Sequence, residues 1–109
     1  MKMILLASAF AATTISAQAA EKADPKVLCG AMASLAEIAM TRRQDGTSMG
    51  DLLNLIEAKG DNPALIEVAR KVVLIAYETP HYTTEEVQQR TIGDFRDQMH
   101  LECLKGLDK

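Results

Sequence analysis

A chain of 109 residues with a formal net charge of −3, its acids and bases interleaved along the sequence, has room for one core and no concentrated basic face. That balance argues against nucleic acid or an anionic membrane surface as partner, since both demand clustered Lys and Arg. The two cysteines and two histidines lack the paired local spacing of a structural zinc site, so neither a metal nor another cofactor is expected.

Residues 1–20, MKMILLASAFAATTISAQAA, read as a secretory signal: Lys2 is the positive start, Met3 to Ile15 the apolar run, and Ala17-Gln18-Ala19 the small-residue cleavage site. The run, about 13 residues, falls short of the roughly 20 needed to cross a bilayer as a helix, so no stable membrane insertion is expected after its removal. Lipid attachment at Cys29 would need a small residue before it, and Leu28 is large. The expected product is periplasmic or secreted, with residues 21–109 forming a single domain. In an oxidising compartment Cys29 and Cys103, at opposite ends of that domain, read as one disulfide. Closing a loop of about 75 residues stabilises by roughly 4 kcal/mol in the chain-entropy model. The alternative is a pair of buried thiols; a redox role lacks the C-x-x-C spacing.

No stretch alternates as a half-buried strand does, whereas glycine and proline divide the domain into four helical segments, so the expected fold is all-α, a compact bundle of about four helices. The first opens at Asp24-Pro25, a cap followed by proline at the first helical position, shows Leu28, Met32, Leu35 and Ala39 on one face, and stops at Gly46. Ser48-Met49-Gly50-Asp51 resembles a capping box and opens a second helix, about Met49 to Lys59, with Leu52, Leu53 and Ile56 inward and Gly60 as a left-handed stop.

Asn62-Pro63 opens a third helix to about Glu78. Its stripe Leu65, Val68, Val72, Ile75 is widened by Ile66, Val73, Leu74 and Tyr77, which predicts the central, most buried helix. Thr79-Pro80 ends it. The capping box Thr83-Thr84-Glu85-Glu86, with Thr83 as cap and Tyr82 stapled to Val87, opens the last helix, which runs to about Lys105 and turns Ile92, Phe95, Met99 and Cys103 inward. A disulfide between Cys29 and Cys103 places the first and last helices antiparallel, with the middle pair packed across them.

Catalysis finds little support, because each histidine stands alone and there is neither a nucleophile elbow nor a phosphate loop. His100 reads as a helix-surface or core-edge residue, Glu85-Glu86 as part of the cap, and Asp94 with Asp97 as a solvated face; the chain is not expected to be an enzyme. Two segments suit recognition instead. Arg42, Arg43 and Gln44, ahead of Gly46, offer bidentate contacts to carboxylates, although cations in a last turn also complement the helix dipole. Tyr77, His81 and Tyr82 lie in one proline-stiffened turn suited to anchoring an interface, although Tyr77 also suits the core and Tyr82 the staple.

Cys29, the Arg43-Gln44-x-Gly46 helix end, Ala76-Tyr77-Glu78 followed by Pro80, and Phe95 ahead of Cys103 together resemble a loose group of short exported proteins of Gram-negative bacteria and their prophages. More distantly, the signal, the helices and the cysteine pair are similar to small periplasmic helical immunity proteins. The resemblance implies compartment and fold more than activity. The expected role is a binding or inhibitor-type module with a protein partner. The alternatives are a stress or chaperone-like factor that exposes its Met-rich, Ala-rich helices on acidification, and a small hydrolase.

Overall fold

The computed structural model describes residues 24–107, which form four helices: α1 (Pro25–Gln44), α2 (Met49–Lys59), α3 (Pro63–Ala76) and α4 (Glu85–Leu107). The signal read over residues 1–20 lies outside the described residues. Cys29 and Cys103 are joined in a disulfide, with their Cα atoms 5.5 Å apart, which fastens the start of α1 to the end of α4. At the opposite end Tyr82, just ahead of α4, bonds to Gln44 at the end of α1, so the two long helices run antiparallel. The end of α3 meets the residues after α1 through Tyr77 and Thr47, so α3 runs parallel to α1.

Local chemistry accounts for most of the boundaries. Asp24 accepts from the Lys26 amide at 2.9 Å and Pro25 takes the first turn of α1, while Ser48 accepts from Asp51 and Asn62 from Ala64 at the starts of α2 and α3. At the end of α1, Gly46 lies at φ 90°, Thr47 N–H bonds Arg42 O at 3.0 Å and Gly46 N–H bonds Arg43 O at 3.4 Å. This is the Schellman pattern, for which glycine is the residue without a steric penalty. Gly60 differs from expectation: its φ of −82° and ψ of 136° are extended. Its requirement is spatial. A Cβ there would sit 2.9 Å from the Ile56 carbonyl oxygen and 2.5 Å from the Ile66 side chain.

The central helix is α1, not α3. It packs most extensively on α4 and also on α3, while α2 lies mainly on α3. Its buried face towards α4 carries Cys29, Ala33, Ala36 and Met40, spaced by four and three residues. Alanine at the crossing lets two backbones approach closely, and Ile92 and Phe95 of α4 fill the space beside them. Leu28, expected inward, is 52% exposed. In α3 the buried residues are Ala69, Val72, Val73 and Ala76, and the expected Leu65 and Ile75 face outward. That helix ends at Ala76, with Tyr77 as its cap. The last helix opens at Glu85 and the Gln88 amide bonds the Thr84 carbonyl, so Thr84 holds the cap position expected of Thr83. The shift of one residue takes Tyr82 and Val87 out of staple spacing.

Candidate binding surface

The two segments singled out for recognition meet at one end of the bundle, where much of their hydrogen bonding is spent on each other. Gln44 is 3% exposed. Its Nε2 donates to the Pro80 carbonyl at 2.9 Å, and its Oε1 accepts from the Tyr82 amide at 2.9 Å. A single side-chain amide thus pairs with the loop backbone on both sides of His81, as a neighbouring strand would. Arg43 Nε donates to the Thr79 carbonyl at 2.9 Å, and Gln88 Nε2 from α4 donates to the Tyr82 carbonyl at 2.6 Å. The 79–82 loop is short of backbone partners, and three side chains supply them.

Tyr77 completes the arrangement. Its hydroxyl donates to Thr47 O at 2.6 Å, and the Arg43 guanidinium carbon lies 5.2 Å from the centre of its ring. Burial pushes the Tyr77 hydroxyl above its ordinary pKa, with the Arg43 charge acting in the opposite direction. Asp45 is held below the usual carboxylate range, first by the Thr47 hydroxyl, which donates to it at 2.6 Å, and then by the Thr47 amide and the nearby Arg42.

Of the expected recognition residues, Arg43, Gln44, Tyr77 and the Tyr82 backbone are therefore engaged in holding the loop. Arg42 stands apart, exposed, with Nη1 3.5 Å from Asp45. His81 is exposed at the loop tip between Pro80 and Tyr82, and Glu78 and Pro80 are exposed beside it. Among the described residues no group of three His, Cys, Asp or Glu side chains is placed to hold a metal ion, and no helix is long and apolar enough to cross a membrane.

A second feature escaped the sequence reading. Between α1 and the first half of α3 runs an open groove of about 540 Å³, walled by Leu35 and Ile38 on one side and Leu65 and Ile66 on the other, with Asp61 and Asn62 at one end. Ile38 and Leu65 are 55% and 57% exposed. The pattern that hides this face is the alanine run of α1: periodicity directs the largest apolar residues inward, whereas the close α1 and α4 contact selects the small ones. No protein-family model, curated protein or solved structure matches the chain.

Proposed function

We propose that the chain is an exported, periplasmic binding or inhibitor-type protein that engages a protein partner through the tip of the loop between α3 and α4. The observation that carries this reading is the buried Gln44 amide. It fixes the loop backbone from inside while the side chains of Glu78, Pro80 and His81 stay free to meet another surface. A loop already held in one conformation loses little further entropy on binding, which is what an inhibitor-type contact requires. The Cys29 to Cys103 disulfide is in keeping with an oxidising compartment, as are the resemblance to short exported proteins and the secretory signal over residues 1–20.

The test uses a partner captured from periplasmic extract on the immobilised protein. His81→Ala, combined with Glu78→Ala, is expected to weaken its binding by roughly 2 kcal/mol while the melting temperature stays put, because both side chains are exposed. A partner held as tightly by the double variant as by the parent would remove the loop tip as the binding surface.

A further inference from the structure

Along the side of α1 turned away from α4, Leu28, Ala31, Leu35, Ile38 and Arg42 follow one another at spacings of three and four, with the cap residue Asp24 four positions ahead of Leu28. That is the heptad seam of a coiled coil, apolar in its centre and charged at its ends. One flank of the seam borders α2 and α3, where Leu35 and Ile38 meet Leu52, Ile56, Ala69 and Val73, and the other is open. Leu28 and Ile38 are 52% and 55% exposed, Ala31 is exposed and Leu35 half-buried. We propose that it pairs with the same seam of a second copy of this chain, in antiparallel register, to form a two-fold dimer.

The register follows from the sequence itself. With the two-fold axis level with residue 33, Leu28 faces Ile38 of the partner subunit and Ala31 faces Leu35 of the partner subunit. The layers then pair leucine with isoleucine at the outside and alanine with leucine at the centre. The same register sets Asp24 opposite Arg42 of the partner subunit at both ends. A parallel pairing would set Asp24 against Asp24 and Arg42 against Arg42, so charge complementarity selects the antiparallel arrangement. Arg42 lies 3.5 Å from its own Asp45 and would sit between two carboxylates. Ala31 near the centre permits the axes to approach to about 8–10 Å, the distance typical of packed helices. The groove beside the seam, of about 540 Å³ and walled by Leu65 and Ile66 of α3, receives the apolar side chains that the second helix brings. This contact lies along the flank of the bundle and is independent of whatever the 78–81 loop tip binds.

Sedimentation velocity of the disulfide-bonded protein over a range of concentrations provides the test. The parent is expected to sediment as a dimer that dissociates on dilution, and Ile38→Glu to raise the dimer dissociation constant about a hundredfold without loss of helicity, because its side chain is exposed. Arg42→Glu should weaken the dimer about tenfold, by setting a carboxylate opposite Asp24 of the partner subunit, with the helicity of the monomer unchanged. A parent that stays monomeric at millimolar concentration overturns the proposal. So does a dimer indifferent to Ile38→Glu or to Arg42→Glu.

Discussion

At the level of single residues, the most consequential side chain is Gln44, a buried polar group whose two ends meet a backbone donor and a backbone acceptor. Replacing it by leucine keeps the volume and deletes both partners, leaving the Pro80 carbonyl and Tyr82 amide unsatisfied. Gln44→Leu is therefore expected to cost about 2–4 kcal/mol in urea unfolding and to accelerate amide exchange at Tyr82. A variant within a few tenths of a kcal/mol of the parent would mean that the loop finds its bonds elsewhere. Asp45 contributes in a pH-dependent way. Its pKa is lowered in the folded chain, so its contribution is present above the unfolded value and lost as the pH falls through the folded one, below about pH 4. Asp45→Asn should lower the melting temperature at neutral pH, with the gap to the parent closing as the solution is taken below that range. A gap that stays constant down to pH 2 would show that Thr47 binds the two side chains alike.

At the level of elements, helix ends were more legible than helix faces. Ser48 with Asp51, Asn62 with Pro63, and Asp24 with Pro25 each announce a start through local bonds between near neighbours, so the bounds Met49 and Pro63 follow from the sequence alone. Burial is decided by what lies opposite, and Cys29, Ala33 and Ala36 displaced Leu28 and Leu35 from the packed face of α1. Both recognition segments stood out through their residue types. Their mutual contact did not, because bonds between Gln44 and residues 80 and 82 leave no periodic trace. Gly60 shows the same contrast: the sequence marks it as a stop, but the reason is crowding by the Ile56 carbonyl. Gly60→Ala should cost about 1–3 kcal/mol, because backbone cannot swing aside as a side-chain tip can. Equal or greater thermal stability of the alanine variant would place the constraint elsewhere.

At the level of the whole molecule, α1 and α4 are fastened at both ends, by the disulfide at one and by the Gln44 and Gln88 bonds to the loop at the other. Reduction removes only the first. The core around Met40, Val73 and Phe95 persists, so helicity at room temperature should survive while the melting temperature falls by about 15–30 °C, the shift that roughly 4 kcal/mol produces in a domain of this size. Circular dichroism with and without reductant measures both, and an unchanged melting curve would mean that closure contributes little to stability.

The same bond has a consequence under proteolysis. Because it joins residues 74 positions apart, nearly the whole bundle is one covalent ring, with every helix connection inside it. A single peptide cut at the turn between α2 and α3, or at the loop tip near His81, opens the ring without releasing a fragment. The two pieces stay tethered, beginning and end, with the α1 and α4 contact still formed. Damage that would dismantle an open chain leaves this one a nicked but whole molecule.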